Sequence, residues 1–420
     1  MVHVHGAQAQ RLVAQTRGIL PDQLVAVPID VGKHTAMALI CDFTGELLVG
    51  PFQFAMTRPG VSELVRRVEA VRAERPVRLV RAGIEAAGHY HRPLTSAGVL
   101  PADWQVVELN PAHVTAQRRG RGQRGVKTDP VDLVAISDLL LAGHGVERGR
   151  VEVDQVMVEL AALVAHRTRR VEVRTATKNQ LLGQVDRAFP GLAECLSSLL
   201  DTRVGRLVVG EFSDPGRLVR LGPARFRAFA ARRGVMVQAR VADRLIIAAR
   251  QVLATDQATI ARRVLAEDLA LLACLDTQIR AAEGRLAALL PQTRFGVLAS
   301  VPGWGTVRVA SYAAAVGELA RWPSPRQLYR AAGLTPTVTE SAGRRRDGAI
   351  TREGSVALRR ALLGLGVGLW RCDPPARAYA AGLRARGKHG VIACALAQRA
   401  NRIAFAMVRD QASYDPDRWR

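Results

Sequence analysis

The sequence predicts a mixed α/β unit followed by an all-α region, and three observations predict it. Short β-branched runs crowd residues 24–109, and strand-like runs stop near residue 151. The window 235–283 contains neither glycine nor proline, and its apolar residues, among them Val241, Leu245, Leu272, Leu275 and Ile279, recur mostly at three- and four-residue steps. At 420 residues the chain has the length for two or three domains with real cores.

Residues 1–23 read as a poorly ordered lead-in. Leu24–Asp30, Thr35–Cys41 and Glu46–Phe52 read as three strands, separated by a Gly32-Lys33 turn and by Asp42-Phe43-Thr44-Gly45, which implies an antiparallel meander. A helix at Val61–Glu74, a strand at Val77–Glu85, a short helix from Arg92, a strand at Trp104–Leu109, a basic loop and a helix from Asp129 follow. The order β-β-β-α-β-α-β-α is that of the ribonuclease-H-like (RuvC-like) fold, a mixed sheet with helices on both faces.

Beyond residue 151, Val156–Ala188 reads as a helix closed by Pro190-Gly191, and Phe212–Pro223 as irregular. If the window 235–283 is one helix it is roughly 70 Å long, more than a globular domain needs, so it predicts an antiparallel coiled coil or dimerising arm. Two helices broken near Asp256 are the alternative. Phe295–Arg420 reads as a third, mostly helical unit. It opens with Ser300-Val301-Pro302-Gly303-Trp304-Gly305, which resembles a helix-hairpin-helix turn whose Gly303 and Gly305 let backbone amides approach a phosphate. The expected domains are therefore 1–23, 24–150, 151–290 and 291–420.

Charge narrows the partner. Lys plus Arg number 60 against 37 Asp plus Glu, a formal net charge of +23, and only Lys33, Lys127, Lys178 and Lys388 are lysine. Such an excess points to a polyanion, with nucleic acid first; arginine suits bidentate phosphate and base contacts, and a GC-rich genome is the other source of it. The five cysteines form no CxxC pair, which argues against a disulfide framework or zinc ribbon and suits a reducing, cytoplasmic setting. No apolar run approaches the roughly 18 residues of a membrane span; Ala361–Trp370 is the longest, and reads as a buried helix.

Three constellations can carry chemistry. Asp30 ends the first strand, Glu85 the fourth, and Asp129 and Asp132 stand three apart at a helix start, where they share a face. In the predicted fold these four carboxylates converge, and oxygen-only ligands favour Mg²⁺ or Mn²⁺ in the manner of phosphodiester-cleaving sites. Arg118, Arg119, Arg121, Arg124 and Lys127 form a basic stretch just before Asp129, suited to wrapping a nucleic-acid backbone, although a solvated loop would read the same. Ser341 precedes Ala342-Gly343 and Arg344, Arg345 and Arg346 in what reads as a loop between two helices. A serine needs activation and a cationic environment to attack a phosphate, and the arginines supply the second; by composition alone it is a turn residue. His89 and His91 read as packing or substrate contacts rather than zinc ligands.

In order and spacing, the landmarks Ile29-Asp30-Val31-Gly32-Lys33, Ile84-Glu85 with Gly88-His89-Tyr90, Asn110-Pro111, Lys127-Thr128-Asp129 with Asp132, Val301-Pro302-Gly303, Ala332-Gly333-Leu334-Thr335-Pro336, Glu340-Ser341 and Gly354 with Leu358-Arg359 cover nearly the whole chain. In these the chain resembles the insertion-sequence transposases that pair an N-terminal DEDD domain with a C-terminal serine domain and are guided by a bridge RNA. The resemblance implies that Asp30, Glu85, Asp129 and Asp132 bind the metal and that Ser341 joins covalently to a DNA end. It implies dimers or tetramers in which the acidic site of one protomer meets the serine of another. It also implies an element-encoded RNA that pairs with both target and donor DNA. Ala87 stands where the family usually has Thr, Ala342 where Gly is usual, and Ser355 where Asn is common. The expected function is metal-dependent DNA strand exchange with a serine nucleophile. The alternatives are a structure-specific nuclease using water, or a non-catalytic nucleic-acid-binding protein.

Overall fold

Three β-branched runs joined by tight polar turns fold as consecutive antiparallel strands, β1 (Leu24–Val31), β2 (Thr35–Asp42) and β3 (Leu47–Ala55). The Asp42 carboxylate makes the second turn, accepting hydrogen bonds from the backbone N–H of Thr44 at 2.8 Å and of Glu46 at 3.0 Å. The computed structural model describes residues 12, 16, 18–86, 88–122, 128–147, 154–253, 256–341 and 343–419. Most of the expected N-terminal lead-in, Arg124, Lys127, Ala87 and Ala342 lie outside the described residues. The chain divides into two compact units, Met1–Glu152 and Val153–Arg420.

In the first unit, Thr57 caps α1 (Arg58–Glu74), whose Val61, Leu64, Val68 and Val71 form the buried stripe. β4 (Leu79–Glu85), α2 (Arg92–Thr95), β5 (Gln105–Leu109), α3 (Pro111–Gly120), α4 (Asp129–Leu141) and a short β6 (Val146–Glu147) complete it. The sheet order is β3-β2-β1-β4-β5-β6, with β1–β4 and β4–β5 parallel. Alternation along the strands divides the core into two layers. Val25, Val27, Ile29 and Val31 pack with Val80, Ala82, Ile84 and the α1 stripe, whereas Ala26, Leu39, Cys41, Val107 and Leu109 pack with Leu133, Ile136, Leu139 and Leu140 of α4. The expected mixed sheet with helices on both faces is present. The basic stretch is not all loop, however: Asn110 caps α3 and Pro111 opens it, so Arg118 and Arg119 are helical.

The second unit is largely helical: α5 (Gln155–Ala188), α6 (Leu192–Cys195), α7 (Arg203–Glu211), α8 (Pro215–Arg232), α9 (Ala239–Gln251) and α10 (Ala258–Leu289) come first. The expected irregular stretch is helical, with α8 kinked at Gly222, whose φ is +72°, before Pro223. The glycine-free window is two helices rather than one, ending and restarting around Val252 and Gln257. Tertiary packing decides this: Ala242, Leu245, Ile246 and Ala249 of α9 and Ala261 and Leu265 of α10 are buried in one core with Leu218 and Phe226 of α8, burial that a straight rod would forfeit. The long partners are α5 and α10, which run antiparallel, as the pairs Glu159–Arg285 (2.5 Å), Arg167–Glu283 (2.7 Å) and Arg174–Asp276 (3.3 Å) require. Asp276 also takes Arg206 of α7 at 2.6 Å.

α11 (Thr306–Val316), α12 (Pro325–Ala331), α13 (Val356–Cys372), α14 (Pro374–Ala385) and α15 (Ile392–Asp410) form the last core. Ala361–Trp370 lies within α13 and is mostly buried, as expected. Among the described residues, only His389–Asp410 is long and apolar enough to cross a membrane, and its Leu396, Ala397, Ala400 and Ala404 are buried in this core. Strands do not stop at residue 151. The segment expected as a loop is an antiparallel hairpin, β7 (Pro336–Ser341) and β8 (Arg344–Ile350).

Candidate functional site

Register brings the first two acidic residues together. β1 and β4 pair in parallel up to Ile29 opposite Ile84, so Asp30 and Glu85, each next in line, end neighbouring strands. By alternation both lie on the α4 side of the sheet, since Ile29 and Ile84 belong to the opposite layer. On that side Gly83 is met closely by Leu140 of α4: a Cβ there would stand 3.0 Å from its Cδ2. Asp30 and Glu85 are half-buried.

Asp129 and Asp132 occupy the first turn of α4, where carboxylates suit the positive end of the helix. Asp129 is exposed, whereas Asp132 is only 2% exposed and accepts a hydrogen bond from Nη1 of Arg118 on α3. Asp138, two turns on, accepts from Arg121 through Nε at 2.5 Å and Nη2 at 2.6 Å, and from Gln117 at 2.9 Å. Arg118 and Arg121, expected to face nucleic acid, are therefore bound to α4 and fix α3 against it. Arg119 is exposed. Below the strand ends, Arg81 is 1% exposed and hydrogen-bonds Gln105, which in turn donates to Glu147 at 2.9 Å. Burial pushes the Arg81 guanidinium down to about 10, with Glu147 opposing, so it stays charged at neutral pH.

Among the described residues, no three His, Cys, Asp or Glu side chains stand close enough together to hold a metal ion. The donor chemistry of Asp30, Glu85, Asp129 and Asp132 nevertheless fits a hard, oxygen-seeking cation. Asp132 would have to share or surrender its bond to Arg118. His91 is 6% exposed, with Nε2 3.8 Å from Glu108, a local packing role.

In the second unit, Ser341 is the last residue of β7, opposite Arg344, and both are exposed. Gly343, at φ +74°, allows the two-residue reversal between them. The hairpin rises from a fixed base. At Gly333 (φ +64°) a Cβ would stand 2.7 Å from the Glu353 carbonyl oxygen, and at Gly354 (φ +141°) 2.2 Å from that of Ala331. The Ser355 N–H donates to the Ala331 carbonyl at 2.8 Å, and Arg352 N–H to that of Gly333 at 3.0 Å. Ser355 then caps α13, accepting from Leu358 N–H at 3.2 Å, the work that Asn also does at an N-cap.

The glycine turn differs from the expectation. A 3₁₀ helix, Arg294–Ser300, precedes it, and Gly303 is pressed on α13: a Cβ there would lie 2.3 Å from the Gly368 carbonyl oxygen. Trp304 is buried beside it and donates to the Leu365 carbonyl at 2.9 Å. The missing side chain of Gly303 thus serves helix packing, while Gly305, exposed at the N-cap of α11, stays open. The hairpin itself was legible in principle, since the β-branched Thr337-Val338-Thr339 and the turn Ala342-Gly343 are hairpin signals.

The structure places carboxylates on adjoining strand ends in one unit and a serine opposite an arginine in the other, and the comparisons give the class of protein. The chain is a transposase: residues 27–190 match a transposase family model, DEDD_Tnp_IS110, and residues 296–381 match the model described as Transposase IS116/IS110/IS902 family. Together the two cover more than half of the chain, which belongs to the IS110/IS116 family of insertion-element transposases. It is 29% identical over 326 residues to the insertion element IS900 uncharacterized 42 kDa protein of Mycobacterium paratuberculosis, spanning 72% of this chain and 76% of that one. To the insertion element IS116 uncharacterized 44.8 kDa protein of Streptomyces clavuligerus it is 25% identical over 403 residues, 93% and 96% of the two chains. A probable family 20 transposase of Pseudomonas aeruginosa is 28% identical over 155 residues, 34% and 46% of the two. The first matched range includes Asp30, Glu85, Asp129 and Asp132; the second includes Ser341.

Proposed function

We propose that this transposase exchanges DNA strands through a covalent serine intermediate, with Ser341 as nucleophile. The Ser341 oxygen attacks a phosphodiester phosphorus, a serine–phosphate ester forms, and the strand on the other side leaves as a hydroxyl, which takes up the proton. Attack on that ester by the hydroxyl of a different strand rejoins DNA and frees the serine. The observation that carries the reading is the exposed Ser341 at the hairpin tip, directly opposite Arg344, on a base locked by Gly333 and Gly354. Arginine beside the phosphate offsets charge that builds as the ester forms.

Asp30, Glu85, Asp129 and Asp132 would hold Mg²⁺ or Mn²⁺, which supplies Lewis-acid stabilisation to a phosphodiester under attack. A ribonuclease-H-like identity for the sheet is supported by its order β3-β2-β1-β4-β5 with β1, β4 and β5 parallel. A structured guide RNA, pairing with element ends and target, is what the resemblance implies, and the +23 charge suits a polyanionic partner of that kind. Self-association as a homodimer or homotetramer through a coiled-coil arm of α5 and α10 is supported by exposed Leu253 and Ile260 near one end of α10. The place of action is the prokaryotic cytoplasm, on chromosomal DNA.

Trapping on denaturing gels tests the central step: wild-type protein with radiolabelled element-end DNA forms a covalent adduct, and Ser341→Ala forms none and does not recombine. Cleavage that persists in Ser341→Ala with no adduct in either protein would point instead to water as nucleophile. Purified protein should carry an RNA removed by ribonuclease; DNA targeting unchanged after that treatment would overturn RNA guidance.

A further inference from the structure

The arginine triplet after Ser341 is not one patch, because a strand alternates its faces. In the hairpin, Ser341 is opposite Arg344, Thr339 opposite Arg346, Glu340 opposite Arg345, and Val338 opposite Asp347. Directly opposed residues of an antiparallel pair project to the same side, with Cβ atoms about 5 Å apart, and successive residues project to opposite sides. One face therefore carries Thr339, Ser341, Arg344 and Arg346. The other carries Val338, Glu340, Arg345 and Asp347.

The two faces differ in charge. Arg345 donates through Nε to Asp347 Oδ1 at 3.0 Å and stands across from Glu340, so its face sets one cation against two carboxylates. Arg344 and Arg346 have no ion-pair partner among the described residues, and their face holds no carboxylate. Both strands are exposed on both sides along nearly their whole length, although an isolated two-stranded ribbon is marginal by itself. A two-stranded ribbon is also of a width that the major groove of a duplex admits.

We propose that the hairpin is a one-sided DNA-gripping ribbon. Arg344, directly across from Ser341, takes the phosphate next to the one that Ser341 addresses and Arg346 the one further along the ribbon, whereas Arg345 makes no nucleic-acid contact, being paired with Asp347 on a face whose net charge is negative. This rests on the serine reading above and adds which arginines serve it and which does not. Arginine forks suit phosphates bidentately, and the unpaired face is the one complementary to a backbone.

The test is the salt dependence of binding, by fluorescence anisotropy, of the full-length protein to a labelled duplex spanning the element end. Each phosphate contact contributes about 0.9 to the log–log slope. Arg344→Ala and Arg346→Ala should each reduce the slope by about one and cut adduct yield, Arg346→Lys should keep the slope, and Arg345→Ala should leave both slope and yield at wild-type values. Equal loss in all three alanine variants, or loss in Arg345→Ala alone, overturns the one-sided ribbon. The slope does not depend on which nucleophile acts, so a Ser341→Ala protein that still cleaves would remove the serine reading while the slopes still judge the ribbon. Melting temperatures within a degree or so of wild type confirm that the substitutions leave the fold intact.

Discussion

The acidic residues of the sheet and the serine hairpin are built on opposite plans. Around α4 the charged groups are tied to one another: Arg118 holds the buried Asp132, Arg121 and Gln117 hold Asp138, and Arg81 lies inside the sheet. At the hairpin Ser341, Arg344 and Arg346 are exposed and have no ion-pair partner among the described residues, and only the base is fixed. Buried polar groups need partners because desolvation without one costs on the order of 1–3 kcal/mol, more for a charge. Exposed ones can wait for the substrate to supply the partner. The sheet is thus organised before DNA arrives, while the hairpin presents bonds still to be made.

The largest effect should come from Asp30→Ala. It is expected to lower recombination by about a thousandfold or more, the scale of losing a Lewis-acid site, while DNA affinity in anisotropy titrations stays within about twofold. Recombination at wild-type rate would remove the strand-end carboxylates from the chemistry and leave the hairpin alone.

Gly354→Ala tests the fixed base. A Cβ 2.2 Å from a backbone oxygen at a φ of +141° forces the chain to move, and about 3 kcal/mol or more of stability should be lost in denaturant titrations. Gly343→Ala, at the open tip, should cost about 1 kcal/mol, from its positive φ alone. Similar losses at both positions would mean that the base is no more rigid than the tip.

Arg118→Ala strands the buried Asp132 and should destabilise the first unit by about 3 kcal/mol, the cost of breaking one side of a buried pair. If Mn²⁺ takes the place of that guanidinium, added Mn²⁺ should raise the melting temperature of Arg118→Ala more than that of the wild type. An equal rise in both proteins would separate the metal from Asp132.

The smallest effect concerns pH. Burial raises the Asp276 pKa, but Arg206 and Arg174 override it, so the carboxyl is held below its ordinary value. A depressed folded pKa adds stability that is present above the unfolded value, about 3.9, and is lost as pH falls through the folded value. Lowering the pH below about 4 should therefore remove on the order of 1 kcal/mol that Asp276→Asn already lacks, so the melting curves of the two proteins converge in acid. Curves that stay parallel would show that the arginines contribute nothing through Asp276.

Much of the first unit was legible because its signals are local. Leu24–Asp30 and Thr35–Cys41 are short, nearly continuous apolar runs of strand length bounded by turn residues, Thr128-Asp129-Pro130 starts a helix, and Asp30 and Glu85 close β-branched runs. What was misread involved partners distant in sequence. Arg118 and Arg121 look like free cations beside Asp129, and only the packing of α3 on α4 shows them engaged by Asp132 and Asp138. Gly303 looks like a phosphate turn, and only Gly368, 65 residues on, shows why it lacks a side chain. The window 235–283 has no helix breaker, yet α9 and α10 fold into a common core with α8 because burial outweighs helix continuity.

By itself the sequence determined the succession of β1–β5 along the chain, the carboxylates at strand ends, the helical second half and the serine beside arginines, since residue type, spacing and hydrophobic period act within a few residues of one another. Tertiary structure alone decided which charges are used up inside the protein and which are left for a substrate. A salt bridge or a hairpin face depends on residues that the chain brings together only when its apolar faces are buried.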